Sequence, residues 1–174
     1  MNTPRLAWLS LLLCAVGCQY EHPLVEDQGI PINPELLGFW EAVEPQDAEP
    51  GPFEQFLVLP FSATEYMIQF PMANERTQGI FYRAYHFDEA GISGVQLQVI
   101  GTGPGHFRIA DDRLYQVVRF SLEEDRLTLA VLNEDRIPHA LASSEDLLQA
   151  FQQYAGDAGL FGDEAVFRRV RPGP

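Results

Sequence analysis

Two cysteines, Cys14 and Cys18, and four histidines, His22, His86, His106 and His139, are the side chains best suited to hold a metal or to serve as nucleophile and base. Their spacing supports neither role. A structural zinc site needs four converging nitrogen or sulfur ligands, usually paired a few residues apart. No two of these histidines fall at i, i+2 or i, i+4, and both cysteines lie in one apolar stretch, "LLLCAVGC" (Leu11 to Cys18). The acidic groups Asp111-Asp112 and Glu123-Glu124-Asp125 lack the Asp/Asn ladder with a central glycine that an EF-hand loop requires. "GTGPGH" (Gly101 to His106) has the glycines of a phosphate loop, but Pro104 interrupts it and strand-like "HFRI" follows where a helix would be needed. "GISG" around Ser93 is likewise not followed by a helix, as a nucleophile elbow would be. Among twenty-five acids, no spacing singles out a carboxylate pair for glycoside hydrolysis. The expectation is a protein with no catalytic residues, no metal and no cofactor, and not an enzyme.

The cysteines acquire a meaning from their surroundings. Arg5 precedes an apolar run from Leu6 to Val16, and small residues follow, which is the layout of a secretory signal. The run is shorter than the ~20 residues a spanning helix needs. "AVGC" (Ala15 to Cys18) resembles the lipobox of bacterial lipoproteins. The resemblance implies cleavage before Cys18, a diacylglyceryl group on its sulfur, and loss of Cys14 with the signal. The even cysteine count then implies no disulfide, because one partner is discarded and the other is alkylated. Gln19, rather than Asp, follows the cysteine, so the resemblance favours the outer membrane, facing the periplasm. Each buried methylene contributes about 0.8 kcal/mol, and two or three acyl chains such as palmitate anchor stably where one does not.

Residues 1–17 therefore read as the signal and 18–34 as a lipidated tether. "QYEHPLVEDQGIPINP" has three prolines and no sustained period. Residues 35–174 have the size of one domain. All eleven basic residues are arginines, and without Arg5 ten remain against twenty-five acids, a mature net charge of −15. Such a surface argues against nucleic acid and against adsorption to anionic headgroups.

Period-two patterning dominates that domain. "LLGFWEAV", "FEQFLVLPF", "TEYMIQF", "GIFYRAYHF", "GVQLQVI", "RLYQVVRFSL", "RLTLAVL" and "EAVFRRV" all read as short strands. "EED" joins two of them as a hairpin. In "SSEDLLQAFQQYA" the period changes: Ser143 and Asp146 resemble a capping box, and Leu147, Leu148, Phe151 and Tyr154 share a helical face. The predicted fold is mostly β, an antiparallel barrel or sandwich of about eight short strands with one C-terminal helix and a closing strand.

"GFW" (Gly38-Phe39-Trp40) on the first strand resembles the Gly-x-Trp of lipocalins, and the late helix before a closing strand is similar to their layout. The resemblance implies that Trp40 plugs the barrel floor and that Gly38 permits close backbone approach; Trp40 also suits an ordinary core position. In "IFYRAYHF" the face with Phe81, Tyr85 and Phe87 is expected to point inward, taking Arg83 with it. An interior arginine must be paired. Arg83 then either anchors an anionic headgroup or meets an internal carboxylate, or it snorkels from an edge. Trp40, Arg83 and Tyr85 are the candidate ligand-binding residues. Two functions stand open for a monomer held to the membrane by lipid on Cys18. One is a lipocalin-like binder of a small apolar or amphiphilic ligand; the other is a docking lipoprotein with a filled core that binds another envelope protein.

Overall fold

The computed structural model describes residues 20–26, 29–43, 55–70, 79–102 and 114–171. Cys14, Cys18, His106, Asp111-Asp112 and residues 103–106 of the glycine-rich stretch lie outside them. Eight antiparallel strands close into a barrel in chain order: β1 (Gly38–Ala42), β2 (Gln55–Pro60), β3 (Glu65–Phe70), β4 (Ile80–Glu89), β5 (Ile92–Thr102), β6 (Tyr115–Glu123), β7 (Arg126–Val131) and β8 (Ala165–Val170), which pairs back with β1. The choice between sandwich and barrel is thus a barrel, which leaves no sheet edge unpaired. One helix, α1 (Ser144–Tyr154), precedes β8. Ser143 caps it, its hydroxyl oxygen accepting the Asp146 N–H at 3.1 Å.

The barrel's two ends differ in their connections. At one end lie the tight turns 61–64, 90–91 and 124–125, together with a 3-10 turn over Pro34–Leu36 that enters β1. Ala90 and Gly91 both have positive φ (52° and 77°), as the two-residue hairpin favouring strand twist requires. At the other end β1, β3, β5 and β7 leave the barrel for the long connections 43–54, 71–79, 103–114 and 132–164.

Two apolar compartments share the barrel wall. The interior cluster draws Trp40, Phe56, Val58, Tyr66, Ala84, Val95, Val118, Leu127 and Phe167, so every strand contributes to it. The second cluster lies outside, where Phe87, Val117 and Ala130 from the wall meet Leu147 and Phe151 of α1 and Tyr20 and Leu24 of the amino-terminal segment. Residues 20–26 therefore do not behave as the free tether expected for 18–34. Tyr20 and Leu24 are each only 1% exposed. The Tyr20 hydroxyl donates to the Ile137 carbonyl at 2.8 Å, and the Leu24 N–H donates to the Gln96 side-chain oxygen. The folded unit begins by Tyr20, not at residue 35, because the outer wall offers apolar surface that α1 alone does not cover.

Candidate functional site

The barrel interior is the region where the polar side chains least easily explained by folding converge. Trp40 sits there fully buried, its indole N–H donating to the Leu36 carbonyl at 3.0 Å. The Arg169 guanidinium stacks over its ring at 4.4 Å and donates to the Leu37 carbonyl at 2.6 Å, to the Glu35 carbonyl, and to Asp125 at 3.2 Å. These bonds tie β8, the 3-10 turn and the β6–β7 hairpin together across the turn-rich end. Gly38 has φ +129°, and a Cβ there would lie 3.1 Å from Arg169 Nη1, so the glycine both permits the bend and leaves room for the guanidinium. Phe56 packs edge-on to Phe70 and Phe167 (centroids 5.8 and 4.9 Å), which makes the β1–β2–β3–β8 side of the interior apolar.

The opposite side of the interior carries polarity. Tyr66 donates its hydroxyl proton to His86 Nε2 at 2.6 Å and accepts the Asn33 N–H at 2.6 Å, while His86 Nδ1–H donates to the Gly94 carbonyl at 3.3 Å. The carbonyl cannot donate, which fixes this tautomer. Burial lowers the pKa of His86, against the Gly94 bond, and raises that of Tyr66, against the Asn33 bond. A phenol–imidazole pair can relay a proton, but here both outer ends terminate on backbone groups, so the pair braces β3 against β4 and β5.

Tyr82 is different. It alternates with Ala84 on β4 and faces Ile68 and Val99 in register, so its side chain belongs to the interior. It is 3% exposed, and among the described residues its hydroxyl has no hydrogen-bond partner. Burial pushes its pKa up to about 12. An unmatched buried hydroxyl costs about 1–3 kcal/mol, which a folded core rarely tolerates without use. Gln116, 4% exposed, lies on the same inner surface by register with Leu97. Of the buried polar residues Glu65, His86, Gln96 and Gln116, only His86 and Gln116 face inward, and neither is charged at neutral pH.

Of the three ligand-site candidates, only Trp40 lies inside. Arg83 and Tyr85 are on the outer face of β4, because Tyr82, Ala84 and His86 hold the inner one. Arg83 pairs with Glu65 on the outer face of β3. Tyr85 donates to the Val25 carbonyl at 3.0 Å and accepts from Gln96, fastening the amino-terminal segment. The inverted assignment has a physical cause: the aromatic run of β4 is buried on both faces, and alternation cannot say which face is the interior. Tyr82 and His86 went unmarked for the same reason, and Gln116 lies in a stretch of β6, residues 116 to 118, that is likewise buried on both faces. Arg169 was legible, since its shared parity with Phe167 places it on the inner face of β8. Two hollows, about 240 and 470 Å³, are lined by the ion pairs Arg119–Glu164 and Arg169–Asp125; the second opens at the turn-rich end beside Leu122 and Arg169. Among the described residues no three His, Cys, Asp or Glu side chains converge on one point, and no helix is long and apolar enough to cross a membrane. Comparison with family models, curated proteins and solved structures finds no match.

Proposed function

We propose that this chain is a lipid-anchored envelope lipoprotein, acylated at Cys18, whose lipocalin-like barrel binds a small, mainly apolar ligand. The observation that carries the reading is the Tyr82 hydroxyl, buried on the inner surface of a closed barrel with no partner among the described residues. It selects the ligand's chemistry. The interior offers aromatic surface and a phenol donor, its buried His86 and Gln116 are neutral, and the Arg169 charge is taken up by Asp125, so the favoured ligand is uncharged with one hydrogen-bond acceptor. The anionic headgroup considered for Arg83 loses its basis, since that guanidinium is outside and paired.

Displacement of the apolar dye N-phenyl-1-naphthylamine tests this. Methyl dodecanoate should displace the dye more tightly than dodecanoate, because the one inner-face cation among the described residues, Arg169, is already paired with Asp125 at the turn-rich end. Tyr82→Phe should weaken methyl dodecanoate by about tenfold, one hydrogen bond's worth, while leaving dodecane unchanged. The same variant should be as stable as the parent or gain about 1 kcal/mol, because it removes an unmatched hydroxyl. A dye that never enters, or an anion that displaces best, would sink the proposal.

A specific surface feature favours the docking alternative. Val170, Phe39 and Leu57 are register neighbours across the outer wall, and Leu59 and Met67 form the next row. Leu59, Phe61 and Val170 are 37%, 56% and 36% exposed. An apolar stripe of this kind on an acidic protein suits a protein partner. Replacing Leu59 and Phe61 by Asp should abolish such docking and leave dye binding intact.

A further inference from the structure

The amino-terminal segment lacks the slack that a tether needs. Tyr20 N–H donates to the Tyr115 carbonyl at 2.7 Å, and the N–H groups of Leu114 and Tyr115 both lie 3.0 Å from the Tyr20 carbonyl. With its hydroxyl held by Ile137 and its side chain 1% exposed, Tyr20 is part of the wall. Tyr115 is the first residue of β6, at the end of the barrel from which the long connections leave. Cys18 precedes Tyr20 by two residues, so its Cα lies within about 7 Å of that of Tyr20. Nine residues of β6 at ~3.4 Å each extend roughly 30 Å to the turn-rich end. The Cys18 backbone is therefore held near the long-connection end.

We propose that the long-connection end of the barrel faces the bilayer leaflet holding the Cys18 lipid, with the Arg169–Trp40 end pointing away. This rests on the lipidation of Cys18 proposed above. The acidic surface opposes lying flat on anionic headgroups, which leaves the anchored end as the one held near them. In this orientation an apolar ligand passes between leaflet and barrel without crossing open water. The stripe of Leu59, Phe61 and Val170 flanks the distal end and faces the aqueous compartment rather than lipid.

The test uses the full lipidated chain in vesicles of phosphatidylethanolamine and phosphatidylglycerol containing doxyl-labelled lipid. Val43→Cys and Glu123→Cys, at opposite ends and both exposed, are labelled singly with bimane. Quenching should be several-fold stronger at position 43 than at 123. A ten-residue Gly/Ser insert between Gln19 and Tyr20 should remove most of that difference. Equal or reversed quenching, or a difference indifferent to the insert, would overturn the orientation while leaving the lipoprotein reading intact. Intact mass separates the two failures: an unmodified Cys18 brings down the anchor itself, and the orientation with it.

Discussion

The barrel interior and the outer interface beneath α1 are both apolar, yet they are built on different terms. The interior is assembled from one residue in two along eight strands, and its polar members, Tyr66, His86, Tyr82 and Gln116, face one another's strands from within. The outer interface is assembled from distant pieces: wall residues of β4, β6 and β7, helix α1, and a segment eleven or more residues before the first strand. Its buried polar groups serve to fasten those pieces, as Gln96 does for Leu24 and Tyr85. An interior that closes through its own ladder can keep an unmatched hydroxyl. An interface that depends on docking cannot.

The sharpest way to break this comparison is to remove the docked segment. A chain beginning at Glu35 matches the domain boundary expected from composition but lacks Tyr20, Leu24 and Asn33. Losing two large buried side chains at about 2–5 kcal/mol each should cost it at least ~4 kcal/mol against a chain beginning at Gln19. Urea unfolding of the two chains measures the difference. Equal midpoints would mean that the outer cluster stands on α1 alone.

Single truncations then separate the compartments. Trp40→Ala and Phe151→Ala each remove a fully buried aromatic and should each cost about 3–5 kcal/mol. Only the outer change should leave the interior readout alone. In Phe151→Ala the Trp40 emission should stay blue-shifted and protected from aqueous quenchers, since the indole touches the other cluster. Gly94→Ala acts on the wall between them. Its Cβ would stand 2.5 Å from both the Phe87 ring and the Val118 carbonyl, so overpacking of about 1–3 kcal/mol or more is expected. Because Gly94 also presents its carbonyl to His86, this variant should disturb both sides at once.

What the sequence made legible follows from the same contrast. Strands whose sequence alternates, such as β3 with Tyr66, Ile68 and Phe70 against Glu65, Met67 and Gln69, announce their inner side. Helix α1 announced its cap and its buried Leu147 and Phe151. Strand β4 did not declare its faces, because residues 84 to 87 are all buried, two toward the interior and two toward the outer interface. Residues 20–26 read as tether because the stretch from Gln19 to Pro34 carries three prolines and no sustained period, and only contact with the wall distinguishes Tyr20 and Leu24 from linker. The unmatched Tyr82 hydroxyl is invisible without neighbours to count.

The smallest expected effect concerns pH, and it belongs to the interior alone. Burial depresses the folded pKa of His86 below the ordinary histidine value near 6.5. Between those two values the unfolded chain binds a proton that the folded chain refuses, so stability rises with pH there. The contribution is fully present above about pH 6.5 and is lost as pH falls toward the depressed folded pKa. Protonation would also put the ring's second proton on Nε2, which now accepts from Tyr66, and the Tyr66 hydroxyl would have to turn away toward the Asn33 carbonyl, 3.5 Å off. His86→Gln should therefore flatten the fall in urea midpoint between pH 7.5 and 5.5, and Leu147→Ala in the outer interface should lower the midpoint equally at every pH. An unchanged slope in His86→Gln would place the acid sensitivity on the carboxylate-rich surface instead, and the interior pair would be a brace without a titration of its own.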